Sequence, residues 1–357
     1  MVKDMTDGNS PCVLVVNLGS PSSLEISDIK KYLKEFLSDD DVIDLPKVLQ
    51  QLILRGFILP YRPKRTKLFY EQIWTAEGSP LITNTHCLAS ALQDRTGWRV
   101  YTAMRYQQPS IEDVLNTISR DGYKEVVVVP LYPHNAAATV GSTRKKVESI
   151  IRKKFSGLSV SFVDPFFDND NYITALANCI QKHLPECIDM LLFSYHGLPV
   201  RQLQKADVTS SHCVVTPECC SIECESSRAC YRANAIKTAR LTAERIGIPS
   251  DKWQISFQSR VSAVGPRWMD PSTANTLEML PQAGKKNVAI LCPSFICDCL
   301  ETLWEIDSEG REIFERAGGE SFTYIPCLNS SSDFVEGLQS IISESYYSIQ
   351  SNQMDVM

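Results

Sequence analysis

Cys12-Val13-Leu14-Val15-Val16-Asn17-Leu18, running directly into Gly19-Ser20-Pro21, decides the fold. An unbroken apolar run of this length, stopped by glycine and proline, reads as a strand buried on both faces. That is the habit of parallel sheets rather than of half-solvated antiparallel ones. Beyond the turn, Ile26, Ile29, Leu33 and Leu37 recur at helical spacing, and Ser22 with Glu25 matches a capping box. Further strands are expected at 99–104, 125–131 and 159–163, with helices at 111–119 and 142–154 between them.

The same alternation restarts at 189–195 (DMLLFSY). Strands at 252–258, 287–292 and 322–326 follow, with helices at 232–246, 272–280, 299–317 and 334–348. The expected fold is therefore α/β: two doubly wound Rossmann-like domains, each a roughly four-stranded parallel sheet flanked by helices. The domains are placed at 1–171 and 172–357, with helix 172–183 as the hinge and the final helix able to pack back on the first domain. Such sheets bind ligands outside the carboxyl ends of their strands, so two facing domains would form a cleft there.

Composition narrows the function. Apolar residues make up 43% and charged residues 22% of the 357 positions, an ordinary globular balance. The net charge of −6 without a long basic run excludes a nucleic-acid partner, which requires a basic face. The first ten residues are polar and the apolar run at 13–18 is too short for a signal or a membrane span, so a cytoplasmic protein is expected, or one peripheral to a membrane face. The 13 cysteines, an odd number, fit reduced thiols in such a compartment better than a disulfide framework. Oligomeric state is not legible.

Five segments carry chemistry. In Ser194-Tyr195-His196-Gly197-Leu198-Pro199, a histidine leaves a buried strand between turn residues. A neutral imidazole there can accept a proton or hold a divalent metal, where a hydrogen-bonded structural histidine is the alternative. In Asp298-Cys299-Leu300-Glu301-Thr302-Leu303-Trp304-Glu305, the three carboxylates are expected on one helical stripe that could pass a cation or accept protons; a solvated acidic face is the alternative. Tyr61-Arg62-Pro63-Lys64-Arg65-Thr66-Lys67, with Phe69, Tyr70 and Trp74, mixes basic and aromatic groups. It suits a lip for an amphipathic anion, a membrane-surface contact or a plain basic loop. Met104-Arg105-Tyr106 follows a strand, and Arg105 could pair with a ligand carboxylate. No G-x-G-x-x-G occurs, which argues against a nicotinamide dehydrogenase.

The fifth segment holds Cys213, Cys219, Cys220, Cys224 and Cys230 without a paired C-x-x-C. Thiolates this dense suggest a [2Fe–2S] cluster or zinc, with reduced thiols as the alternative. Cys213, Cys220, Cys224 and Cys230 are the candidate ligands.

Together these segments resemble the ferrochelatase family over most of the chain. Asn17-Leu18-Gly19-Ser20-Pro21 looks like the family's N-terminal strand and loop, and Ser194–Pro199 is similar to the signature around its catalytic histidine. Asp298–Glu305 resembles its acidic helix. Gln258-Ser259-Arg260 and Val264-Gly265-Pro266 with Trp268 resemble its second-domain porphyrin wall. The resemblance implies insertion of Fe²⁺ into a porphyrin, the last step of haem biosynthesis, with ferrous iron and porphyrin as partners. It implies His196 and Glu301 as catalytic residues, and His196, Glu301 and Glu305 as handlers of the substrate metal. Porphyrin contacts would fall on Leu18, Arg62, Arg65, Tyr70, Ser79, Arg105, Tyr106, Ser259 and Trp268.

The family commonly has histidine where this chain has Cys299. Of the family's two cluster placements, terminal and internal, the internal one is expected here. Leu18 matches the apolar residue of the protoporphyrin-using branch, whereas the coproporphyrin-using branch tends to have tyrosine, so protoporphyrin IX is the expected substrate and coproporphyrin the alternative. A cobalt or nickel chelatase, and a haem-binding protein without catalysis, are the rival readings.

Overall fold

The computed structural model describes residues 11–214, 218–260 and 266–354. By internal contacts the chain divides into two units. One comprises the residues up to Tyr132, Ala137–Pro165 and the chain from Asn329; the other comprises Pro133–Ala136 and Phe166–Leu328.

The first unit is built on strands β1 (Cys12–Asn17), β2 (Val100–Met104), β3 (Glu125–Pro130) and β4 (Ser159–Phe162), all parallel in the order β2-β1-β3-β4. Every residue of β1 is buried, as its unbroken apolar run requires. Side-chain alternation sends Cys12, Leu14 and Val16 to one face. There they pack with Ile111, Leu115 and Ile118 of helix Ile111–Arg120 and with Val147 and Ile150 of helix Ser142–Lys154. Each such aliphatic side chain contributes roughly 1.5–3 kcal/mol by leaving water.

Helix Ile26–Leu37 buries Ile29, Tyr32, Leu33 and Leu37, the residues its spacing marks. Its expected capping box is absent. The helix starts after Ser22's reach, Glu25 makes no side-chain cap, and Ser23 instead bonds Asp28 at 2.6 Å. The basic segment expected as a lip or loop is also helical: Lys47–Ile53 and Leu59–Ile73 flank a π-turn at Leu54–Ile58. Helix Ser332–Met354 packs in this unit through Arg95–Glu336 at 2.8 Å and Tyr346–Glu125 at 3.0 Å.

The second unit repeats the plan with β5 (Met190–His196), β6 (Trp253–Gln258), β7 (Asn287–Leu291) and β8 (Ser321–Tyr324), parallel in the order β6-β5-β7-β8. Helix Thr273–Gln282 is capped by Ser272, whose hydroxyl accepts from the Asn275 amide, and buries Leu277 and Leu280 against Ile290 and Phe322. Two doubly wound α/β units with parallel sheets agree with the reading of the sequence.

Between Leu300 and Gly310 the expected α-helix is instead a π-helix of 11 residues, continuing as α-helix Arg311–Arg316. Hydrophobic spacing cannot separate the two, because both bury a stripe of residues three to five apart. Extended π-structure is rare and is found mostly at functional sites.

Candidate active site

The C-terminal ends of β5, β6 and β7 bring the second unit's candidate residues together. His196 closes β5 and lies in register with Gln258, the last residue of β6. Its backbone N–H donates to the Ser294 hydroxyl at 3.2 Å. Its ring Nδ1 lies 2.8 Å from the Gly197 carbonyl. A carbonyl only accepts, so Nδ1 carries the proton and Nε2 keeps its lone pair. Burial lowers the imidazole's pKa, opposed by the charge of the Glu301 carboxylate, and the net shift is downward. The ring is therefore neutral near pH 7, with Nε2 open to accept a proton or bind a metal.

Gly197 is required by space. A Cβ there would lie 2.8 Å from the Gln258 carbonyl and 3.6 Å from the Trp268 ring. Trp268 joins this turn through an antiparallel bridge to Pro199. Gln258 links the floor of the site. Its Nε2 donates to the Glu301 carbonyl at 2.7 Å, and its Oε1 accepts from Ser194 at 2.8 Å.

The acidic segment separates into two roles. Glu301 and Glu305 lie on the π-helix, and Glu309 extends their row; the Glu301 and Glu309 charges both act on Glu305. Glu309 was not among the sequence candidates, although its four-residue spacing from Glu305 continues their row. Glu305 accepts from the Ser259 backbone at 2.5 Å and the Ser259 hydroxyl at 2.6 Å. Burial nonetheless raises its pKa to about 7, because the hydrogen bonds offset only part of the desolvation.

Asp298 leaves the expected stripe. Its carboxylate is buried and accepts from Tyr324 at 2.5 Å, Thr302 at 3.1 Å and the Cys327 amide at 3.3 Å. It is an anchor for the start of the π-helix. Cys299 caps that helix, its buried sulfur accepting the backbone N–H of Thr302. Val264 and Gly265 lie outside the described residues.

In the first unit, Leu18 follows β1 half-buried and Gly19 turns the chain at φ +105°. A Cβ on Gly19 would stand 2.0 Å from the Tyr106 carbonyl, so only glycine fits. Arg105 is committed internally. Its guanidinium pairs with Asp39 and donates to Ser142 at 2.7 Å, while the Tyr106 hydroxyl donates to Asp39 at 2.9 Å. Nothing local to residues 104–106 marks this partner, which lies 66 residues away. Tyr70 is buried with its hydroxyl 3.4 Å from Ser20, and Ser79 is a buried N-cap. Arg62 and Arg65 are exposed, Arg65 lying over the Phe69 ring at 5.4 Å.

The cysteine segment is organised by Asp207. Its carboxylate accepts from Thr209 and Ser226 on one oxygen and from the His212 and Cys213 amides on the other. Hydrogen bonding from Cys220, and more weakly from Cys213, holds the Cys230 thiol below its ordinary range against the effect of burial. Cys224 is turned toward His212 Nε2 at 3.7 Å. Among the described residues, no group of three or more His, Cys, Asp or Glu side chains closes on a metal position. The donor chemistry suits a soft metal, but the four candidate sulfurs are not assembled as a site.

The fold is one seen in chelatases. The SirB structure from Bacillus subtilis with Fe³⁺ aligns with TM-score 0.52 at 11% identity, over 94% of this chain and 95% of that one. The cobalt complex of the sirohydrochlorin chelatase SirB from B. subtilis subspecies spizizenii aligns with TM-score 0.53 at 9% identity, over 94% of each chain. At such identities the likeness shows the fold alone. Sequence comparison goes further. The family profile described as Ferrochelatase matches residues 10–346. The ferrochelatase of Opitutus terrae is 44% identical over 91% of this chain and 95% of its own length, and that of Pseudomonas savastanoi pv. phaseolicola 40% identical over the same shares. The chain belongs to the ferrochelatase family. It is a metal-inserting enzyme of haem biosynthesis, with ferrous iron and a porphyrin as substrates.

Proposed function

We propose that this enzyme makes haem from protoporphyrin IX, with His196 and Glu301 as the catalytic pair. Insertion replaces the two pyrrole N–H protons of the porphyrin with Fe²⁺, so two protons must leave as the metal enters. The neutral imidazole of His196, its Nδ1 proton held by the Gly197 carbonyl and its ring within the field of the Glu301 carboxylate, is the observation that carries the assignment. An uncharged imidazole can take a pyrrole proton without first losing one of its own. Glu301 receives protons or replaces water on Fe²⁺, and Glu305, with its pKa near neutrality, is the next carboxylate along the π-helix.

Porphyrin contact is assigned to Leu18, Arg62, Arg65, Tyr70, Ser79, Arg105 and Tyr106 in the first unit, and to Ser259 and Trp268 in the second. The family resemblance supports these positions. Arg62 and Arg65 are the better propionate anchors because they reach solvent, whereas Arg105 already holds Asp39. Leu18 supports protoporphyrin over coproporphyrin.

The test is anaerobic incubation of the enzyme with Fe²⁺ and each porphyrin, following haem absorbance. Protoporphyrin is expected to turn over faster. His196→Ala is expected to abolish haem formation while porphyrin binding, read by fluorescence quenching, persists. Near-normal turnover in that variant would refute the assignment.

Two finer readings accompany this one. Peripheral contact with the cytoplasmic face of a membrane is supported by an apolar row on the helices spanning 47–73. Val48, Leu52, Phe57, Tyr61 and Leu68 are 59–75% exposed beside Lys64 and Arg65. No helix among the described residues is long and apolar enough to cross a membrane. Cosedimentation with anionic vesicles, lost on Phe57→Ser with Leu52→Ser, tests this contact. The second reading is a [2Fe–2S] cluster or zinc on Cys213, Cys220, Cys224 and Cys230, supported by the mutual hydrogen bonding of three of these thiols. Reddish-brown protein with equimolar iron and sulfide supports the cluster, and one colourless zinc per chain supports zinc. No step of metal insertion depends on either.

A further inference from the structure

Behind the end of β5, on the sheet face opposite Ser194, lies a buried group of polar atoms that the reaction does not use. His134, Tyr195 and Tyr231 pack edge to face, with His134 centred 5.2 Å from Tyr195 and 5.9 Å from Tyr231. His134 Nδ1 and the Tyr195 hydroxyl are buried with no hydrogen-bond partner among the described residues, and the buried Tyr231 hydroxyl has the Ser294 side chain near it. Buried polar atoms are nearly always satisfied in folded proteins, so unpartnered atoms on the touching side chains of His134 and Tyr195 require an explanation.

The imidazole tautomer is fixed by its neighbours. The Thr238 hydroxyl donates its proton to the Phe167 carbonyl at 2.6 Å. The same oxygen lies 3.0 Å from His134 Nε2, so it can only accept there, and Nε2 carries the hydrogen. Nδ1 is then a bare lone pair. Burial depresses the ring's pKa to about 3, which rules out a second proton on it near neutrality. The site therefore offers one acceptor and two hydroxyls. A water molecule can donate to Nδ1, donate to one tyrosine oxygen and accept from the other.

We propose that His134, Tyr195 and Tyr231 bind one internal water, and that this hydrated knot positions His196. Two links reach the histidine. Tyr195 is its neighbour in β5, and the Tyr231 hydroxyl points toward Ser294, whose oxygen holds the His196 backbone N–H. His134 is thus a positioning residue, tied to helix Tyr231–Ile246 through Thr238 and through Asn135, whose amide donates to Asn234 at 3.1 Å. The functional half of the proposal rests on His196 being catalytic; the water site does not.

The experiment is a crystal structure of the full chain at a resolution that shows ordered solvent, paired with kinetics of three variants. An ordered water within about 3 Å of His134 Nδ1 and at least one of the tyrosine hydroxyls is expected. A dry gap, or a direct His134–tyrosine hydrogen bond, would overturn the site. Tyr231→Phe keeps the ring and removes one water contact. It is expected to lower kcat several-fold and move the acid limb of its pH profile, with KM for porphyrin unchanged. His134→Phe should behave alike, and His134→Asn, which keeps an acceptor near Nδ1, should recover most of kcat. If Tyr231→Phe leaves kcat and its pH profile at wild-type values, the positioning role is wrong even where the water is present.

Discussion

Ser259 donates twice to Glu305, from its backbone N–H to one carboxylate oxygen and from its hydroxyl to the other. It does so from the left-handed region, at φ +62°, an uncommon conformation for a residue with a side chain. The two bonds favour the charged carboxylate, while burial favours the neutral one. Ser259→Ala removes one of them and should move the Glu305 pKa upward from about 7. The expected outcome is an alkaline shift of the kcat–pH profile by up to roughly one unit, since a hydrogen bond to a charged group is worth about 1.5–3 kcal/mol. An unchanged profile would show that Ser259 does not govern this carboxylate.

Glu305 also makes stability depend on pH. Its folded pKa is raised above the ordinary glutamate value, so its contribution is full below about pH 4.5 and is lost as pH climbs through about 7. Glu305→Gln cannot ionise. Denaturant titrations should find the variant gaining on wild type by about 2 kcal/mol between pH 4.5 and 8, after discounting for partial exposure. A constant difference across that range would contradict the raised pKa.

Asp39 gathers Arg105, Tyr106 and Ser142 at one carboxylate. Burial raises its pKa, yet the Ser142 hydroxyl, the Asp41 amide and Arg105 outweigh this and the net shift is downward. Asp39→Asn leaves the Arg105 charge buried without its counter-ion. A loss of about 3–5 kcal/mol is expected by urea unfolding, the range for breaking a buried pair. Loss below 1 kcal/mol would mean that Arg105 finds another partner.

Gly197→Ala places a methyl group 2.8 Å from the Gln258 carbonyl, which is backbone and cannot swing aside. The turn after β5 must shift, carrying the carbonyl that fixes the His196 tautomer. With His196 in its proposed role, haem formation should fall at least tenfold with the porphyrin KM altered less, because a small displacement of a reacting group costs rate before binding. Activity within twofold of wild type would show that the turn absorbs the methyl group.

Asp207→Ala removes the acceptor that binds residues 209, 212, 213 and 226 together. Limited proteolysis should cut between 208 and 224 about ten times faster in metal-free protein, while the far-UV spectrum stays unchanged. Equal cutting rates would assign the order of this segment to something other than the carboxylate.

The strands, the parallel sheets and the position of His196 at a strand end are legible from residue order. Apolar runs such as 12–17 and helical spacing such as 26–37 are local properties that burial converts directly into structure. The π-helical register of 300–310, the inward turn of Asp298 and the pairs Asp39–Arg105 and Ser259–Glu305, 66 and 46 residues apart, come from long-range packing. A side chain's chemistry limits what it can bond, but which donor arrives is set by packing of distant segments. Residue order along one element does not carry that information.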